Sequence, residues 1–246
     1  MKTIHLSPRL QMAADMVPLS SSGIRLVDVG TDHAYLPAWL LQNQLEDRYF
    51  DCVIATDLRE GPLARAVQTA REAGCDKIDF RLCDGLRAVD RREAGVIVIA
   101  GMGGETIVHI LKGAPWTDWR GDGQIPEKTL ILQPMSSMPE LRKWLQENGF
   151  RIEEERLAQE GETLYTALLV RAGETAPMTL AELWAGRNTA DPLRGSWLDQ
   201  WSARISRALD GMTQARGDEV LPRKRELEEV LCGLTEMKKE WEQWQL

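Results

Sequence analysis

The sequence predicts an α/β protein: a parallel sheet covered by helices on both faces, continuing into an all-helical tail. Three observations carry this expectation. Short strand-like segments recur at 26–29, 52–56, 78–82, 96–100 and 129–132, most of them apolar and β-branched and each too short for a helix. Unbroken apolar strands with helix-forming sequence between them are buried on both faces, as in a parallel sheet. After Gly173 the strand texture stops and helix formers with four-residue apolar spacing take over.

The elements follow in order. Ser7-Pro8 places an N-cap before a proline at the first helical position, and Leu10, Ala13, Ala14 and Val17 share one face of the helix that follows. Pro18 and the Ser20–Gly23 cluster end it. The strand at 26–29 runs into Gly30, a tight turn, and then into a helix whose apolar face carries Leu36, Trp39 and Leu40. Strand 52–56 closes at Asp57 and is followed by a helix with Leu63, Ala66, Val67 and Ala70, ending at Gly74. Strand 78–82 ends at Cys83-Asp84-Gly85, and strand 96–100 runs straight into Gly101-Met-Gly-Gly104. Residues 112–127 form a Gly/Pro-rich loop with Trp116 and Trp119. Strand 129–132 ends at Gln133-Pro134, after which Ser137 and Glu140 have capping-box spacing ahead of a helix with Leu141, Trp144 and Leu145. Two last strands, 151–157 and 163–170, form a hairpin across Gly161 and bring the sheet to seven. In the tail, Trp197, Trp201, Ile205 and Leu209 form one stripe and Leu227, Val230, Leu231, Leu234, Met237 and Trp241 another. Two amphipathic helices packed as an antiparallel, coiled-coil-like hairpin are expected. The domain division is 1–173 for the α/β part and 174–246 for the helical part.

At 246 residues and 43% hydrophobic content, the chain has ample core for this plan. No signal-peptide core opens it and no apolar run is long enough to span a bilayer, so a cytoplasmic protein without membrane contact is expected. Cys52, Cys75, Cys83 and Cys232 show no C-x-x-C pair, and His5, His33 and His109 are dispersed, which argues against a metal centre or disulfide framework and for small buried thiols. The formal charge of −8 excludes a generally basic nucleic-acid-seeking surface; an RNA partner would need a local basic face. Arg9, Arg59, Arg87, Lys112 and Arg120 are candidates for phosphate contacts. The tail stripe can fold back within one chain or pair two chains, with a monomer as the expectation.

The candidate site collects at the carboxyl ends of the strands. Gly30 lets the backbone approach a ligand, while Asp28 and Asp32 can accept hydrogen bonds from an ammonium or from backbone donors; Asp32 could equally cap the helix. Asp57 ends the next strand where an acid meets ribose hydroxyls, and Asp84-Gly85 the next, where a carboxylate can accept from an adenine amino group. Ala100, Gly101, Met102, Gly103 and Gly104 form a loop with room for a flat base, or a bare packing turn. No lysine follows those glycines as a phosphate-binding loop requires. His33 can contact cofactor or target, or be a satisfied structural histidine.

Asp28-x-Gly30-x-Asp32-x-Ala34 resembles the acidic-glycine loop of class I S-adenosylmethionine-dependent methyltransferases, with Asp32 and Ala34 where further glycines are expected. Together, Asp28-Val-Gly-Thr-Asp-His-Ala-Tyr-Leu-Pro37, Ile99-Ala-Gly-Met-Gly-Gly104 and Leu132-Gln-Pro-Met135 resemble the bacterial tRNA (adenine-22-N1)-methyltransferase family over about the first 173 residues. The resemblance implies a Rossmann-like seven-stranded class I methyltransferase sheet with a C-terminal helical coiled-coil domain. It implies methyl transfer from S-adenosyl-L-methionine to N1 of an adenosine in the D-arm region of tRNA. In that setting Asp32, His33 and Gln133 are the catalytic candidates. The cofactor-binding candidates are Asp28, Gly30, Asp32, His33, Asp57, Asp84 and Gly85 with the loop from Ala100 to Gly104. Tyr35 and Trp116 are further candidates for the pocket of an extruded base. The competing readings are a nicotinamide dehydrogenase, whose three-glycine fingerprint is broken here, and a non-catalytic S-adenosylmethionine-binding module.

Overall fold

The computed structural model describes residues 1–245 other than 45–47, 123–124, 126, 188–189 and 213–219. Its first element is helix α1 (Pro8–Asp15). Strands β1 (Ser20–Val29), β2 (Arg48–Asp57), β3 (Ile78–Leu82), β4 (Val96–Gly103) and β5 (Thr129–Ser136) then alternate with helices α2 (Tyr35–Gln42), α3 (Glu60–Ala73), α4 (Gly104–Lys112) and α5 (Met138–Glu147). A hairpin of β6 (Phe150–Glu160) and β7 (Thr163–Ala172) follows, then α6 (Leu180–Ala185), α7 (Arg194–Met212) and α8 (Val220–Trp244).

The seven strands form one sheet in the order β3-β2-β1-β4-β5-β7-β6, parallel from β3 to β5 and antiparallel at β7. The chain reverses its direction of travel across the sheet between β1 and β4. In an open α/β sheet that reversal leaves a crevice at the carboxyl ends of the strands, where ligands bind. One face is covered by α1, α2 and α3 through Met12, Ala13, Leu36, Leu40 and Ala70. The other is covered by α4 and α5 through Ile107, Leu111, Leu141 and Leu145. Apolar side chains of β1, β4 and β5 point both ways, which is why these runs carry no polar alternation.

Three local expectations are corrected. The Ser20–Gly23 cluster extends β1 instead of ending α1: it pairs with the start of β2 across register shifts at Ile24, with Gly23 at φ 76°. Ser137 makes no capping box with Glu140. It sits at φ 53° with no side-chain cap, because its carbonyl lies where a Cβ on Gly104 would meet it at 2.2 Å, and this tight turn excludes the extended backbone a cap needs. A capping box does form at α6, between Thr179 and Glu182. The thiols are not uniformly buried: Cys75 is, Cys52 and Cys83 are half-buried, and Cys232 is exposed.

In the tail, the N-terminal part of α7 meets the C-terminal part of α8, with Lys238 Nζ on the Gly195 carbonyl and on Asp199 at 2.7 Å, so the two helices run antiparallel as expected. To that pair the structure adds α6, wedged between α8 and α5. Trp197, Trp201, Ile205, Leu227, Val230 and Leu234 are buried in a third core shared with Met138 of α5 and Leu164 of β7. The joint is polar at its centre. Arg142 of α5 is 1% exposed and donates to the carbonyls of Leu183 and Trp184 and, at 3.0 Å, to Glu155 Oε2. Arg194 donates to the Ala185 and Gly186 carbonyls. Two guanidinium groups thus complete the C-terminal carbonyls of α6, a favourable end for positive charge. Among the described residues, no helix is long and apolar enough to cross a membrane.

Removing one member of a buried ion pair strands the other, at about 3–5 kcal/mol. Arg142→Ala is therefore expected to lower the free energy of unfolding by roughly that amount in a urea titration, with the loss reported by tryptophan fluorescence from α7.

Candidate active site

A cleft of about 710 Å³ opens at the carboxyl ends of β1 to β4. Its floor is the turn after β1, and the backbone there is unusual. Gly30, Asp32 and Ala34 have φ of 71°, 49° and 53°, so two residues bearing a Cβ occupy the left-handed region. That conformation costs about 1 kcal/mol for each. Three successive amides hold it: Gly30 and Thr31 both donate to the Thr56 carbonyl, at 2.8 and 2.9 Å, and Asp32 donates to Asp57 Oδ2 at 3.2 Å. Asp57 Oδ1 accepts from the Arg59 amide at 3.0 Å, tying the start of α3 to the same carboxylate. The helix-cap alternative for Asp32 falls away, since Ala34 is the residue that precedes α2. Asp32 instead faces Arg65 at 3.4 Å and His33 Nε2 at 3.7 Å.

The other candidates divide clearly. Asp28, Gly30, Asp32 and His33 line the cleft after β1, Asp57 after β2, and Asp84 and Gly85 after β3. Ala100, Gly101 and Met102 line it from β4, and the Met102 methyl lies where a Cβ on Gly30 would meet it at 2.0 Å. His33 stacks on Tyr35 with the rings 5.3 Å apart and 8° from parallel, and both line the cleft. Gly103 and Gly104 do not line it; Gly104 is a close-packing position against Ser137. Gln133 is wholly buried behind the wall. Its Oε1 accepts from Arg9 Nη1 at 2.7 Å and from the Gly101 amide at 3.0 Å. Gly101, at φ 77°, is the extra residue of a bulge between Ala100↔Gln133 and Met102↔Pro134, and the Gln133 side chain completes its amide. Trp116 lies elsewhere, packed edge-on to Trp119 against the α4–α5 core.

Of the proposed phosphate contacts, Arg9 and Arg59 reach the cleft; Arg87 pairs with Asp84 at 3.2 Å, and Lys112 lies over the Trp144 ring. Thr106, His109 and Ile110 of α4 also line the cleft and were not foreseen. Their i, i+3, i+4 spacing marks one helix face, but only knowledge that α4 begins at the cleft rim would have assigned that face to the site. Among the described residues no cluster of His, Cys, Asp and Glu is arranged to hold a metal ion.

Burial dominates the electrostatics of Asp28, which is 5% exposed: desolvation pushes its carboxyl up to about 6, the Thr31 hydroxyl opposes this, and the Asp57 charge adds to it.

Residues 6–168 match the family model described as a methyltransferase domain, a span that contains every residue lining the cleft. A tRNA (adenine(22)-N(1))-methyltransferase from Bacillus subtilis (strain 168) is 33% identical over 175 residues, covering 71% of this chain and 68% of that protein. The chain belongs to the tRNA (adenine(22)-N(1))-methyltransferase family. A Streptococcus agalactiae protein of the NADB-Rossmann superfamily superposes with a TM-score of 0.77 at 32% identity, over 96% of this chain and 98% of that one. Streptococcus pneumoniae Sp1610, solved in complex with S-adenosyl-L-methionine, gives 0.72 at 31% identity, over 92% and 100%. The fold is therefore the Rossmann-like class I methyltransferase sheet expected of this family, with the helical region following it.

Two stability measurements follow from this geometry. Asp32→Gly relieves a left-handed residue and is expected to leave stability unchanged or raise it by up to about 1 kcal/mol. Asp57→Ala orphans two amides and is expected to cost about 1–3 kcal/mol; in thermal melts Asp57→Ala should fall below the wild type while Asp32→Gly does not. For Asp28 the folded-state pKa lies above the unfolded value, so its ionisation destabilises the fold as pH rises from about 4 to about 6. Asp28→Asn is expected to gain on the wild type through that window, by about 3 kcal/mol at pH 7, in urea titrations at a series of pH values.

Proposed function

We propose that this protein transfers a methyl group from S-adenosyl-L-methionine to N1 of adenosine 22 in the D-arm region of tRNA. The observation that carries this reading is the convergence of three acids, Asp28, Asp57 and Asp84, with the Gly30 turn in one cleft, in a chain of this family. The cleft is of ordinary size for a nucleotide-type ligand, and Gly30 and Gly85 leave room for the Met102 and Ile110 side chains that line it. Asp28 would hold the cofactor's ammonium, Asp57 its ribose and Asp84 its adenine. Asp57 has a lone pair to spare on each oxygen beyond the two amides it already holds.

When bound, S-adenosylmethionine supplies a methyl group on a sulfonium, and N1 of neutral adenine accepts it through a lone pair with no proton to lose. The residues here therefore align and balance charge instead of acting as a base. Asp32, with its carboxylate more than half exposed at the cleft, would balance the charge that passes to the base. His33 and Tyr35 present parallel rings to a base drawn out of its stack. Gln133 acts from behind by fixing Gly101 and Arg9. We assign residues 1–173 to cofactor binding and chemistry and 174–246 to holding tRNA, with the protein working as a cytoplasmic monomer.

Labelled methyl transfer to unmodified tRNA transcripts tests the reading: 1-methyladenosine confined to position 22 is expected, and label elsewhere or none despite cofactor binding would refute it. In the same assay His33→Ala is expected to lower turnover about tenfold or more with little change in melting temperature, because the ring is 36% exposed, stacking on Tyr35 and lying 3.7 Å from Asp32.

A further inference from the structure

Arg9 stands half-buried in the first turn of α1, on the wall of the cleft shared with β4 and β5. It is held by two contacts. Nη1 donates to Gln133 Oε1 at 2.7 Å, the oxygen that also takes the Gly101 amide. The guanidinium lies over the Tyr165 ring, 5.8 Å from its centroid. Gly101 leaves it room, since a Cβ there would come within 3.3 Å of Nη1.

This grip holds the side chain without neutralising it. Arg65 is paired with Asp32 and Arg87 with Asp84, whereas Arg9 has no carboxylate partner among the described residues. Its holder, Gln133, is a neutral amide whose own donors are occupied by the Pro134 carbonyl and the Met135 sulfur. A guanidinium pinned in orientation, fully charged and with most of its fork uncommitted is preorganised for a planar or tetrahedral oxyanion. In a cleft that otherwise presents Asp28, Asp32, Asp57 and Asp84, it is the positive charge on the β4–β5 side.

We propose that Arg9 is the oxyanion-binding residue of this cleft, held in place by Gln133 and Tyr165, and that it takes a carboxylate or phosphate oxygen of a bound substrate. The proposal rests on the function given above, which supplies two sources of that chemistry: the carboxylate of the cofactor's methionine moiety and a phosphate of the target nucleotide.

The test uses the full chain with Arg9→Gln and Arg9→Lys. Affinities for S-adenosylmethionine and its decarboxylated analogue are measured by calorimetry, and KM for tRNA is measured across salt concentrations. Arg9→Gln is expected to lose about tenfold or more in one arm, and Arg9→Lys, which keeps the charge without the fork, to recover part of it. If the carboxylate is the ligand, binding of S-adenosylmethionine weakens while that of the decarboxylated analogue is indifferent to Arg9. If a phosphate is the ligand, both cofactor affinities hold, KM for tRNA rises, and the slope of log KM against log salt falls by about one. Unchanged values in both arms would overturn the proposal. So would equal losses for the two cofactors with a lowered melting temperature, which is the behaviour of a purely structural residue. The wild type separates this from the wider reading: cofactor binding without methylation of tRNA would refute the function whatever Arg9 does.

Discussion

Between Gly30 and Ala34 the backbone enters the left-handed region three times, twice at residues with a Cβ, and this strain persists because β2 holds the loop from the side. The amides of residues 30, 31 and 32 are all spent on two consecutive residues of the neighbouring strand, Thr56 and Asp57. The register of β1 on β2, which sets Asp28 opposite Ala55 and Val29 opposite Thr56, is thus what places those acceptors under the turn. A slip of one residue would turn every side chain of β1 to the other face and remove both acceptors at once. Strand pairing, loop strain and the position of Asp32 are one constraint.

The opposite wall is built by a different device. At Gly101 the strand takes an extra residue, and the bulge turns Ala100 and Met102 into the cleft while leaving an amide without a ladder partner. Gln133, on the adjacent strand, supplies the missing acceptor from its side chain and shares it with Arg9. A buried amide with all its capacity used is stiff, so the two parallel strands and α1 are coupled through one oxygen. The tail is joined with comparable rigidity: Arg142 from α5 and Arg194 from α7 converge on the last carbonyls of α6. Any load on α7 and α8 is therefore transmitted to α5, whose first residue follows the β5 turn.

Much of this was legible in the sequence because it depends on periodicity. All seven strands, the α2 and α3 faces and the antiparallel α7–α8 pair follow from runs of apolar residues whose spacing has no other economical explanation. The acids at the strand ends were legible too, because a carboxylate just past a buried strand has few structural reasons to be there. What escaped was set by long-range contact. Ser137 and Glu140 have the spacing of a capping box, but the approach of Gly104 to the Ser137 carbonyl decides the backbone locally. Gln133 looked like a residue facing substrate and is instead the support behind it, a distinction that needs the positions of Gly101 and Arg9, 32 and 124 residues away in sequence. Trp116 has the composition of a base-stacking residue and is used as core.

The acidic character of the chain looks at odds with an RNA substrate until the charges of the reaction are followed. The cofactor arrives with a positive sulfonium and the adenine leaves with a positive ring, so the reacting centre is cationic throughout and is served by carboxylates. Four aspartates line the cleft; burial holds the Asp28 carboxyl up at about 6 by penalising its charged form, and a cation beside it would favour that charged form. The anions, by contrast, lie at the periphery of the substrates, on phosphate and carboxylate oxygens. The arginines that line the cleft are Arg9 on the β4–β5 wall and Arg59 at the start of α3. A net charge of −8 then raises the cost of nonspecific approach by nucleic acid and leaves binding to depend on where those few arginines stand.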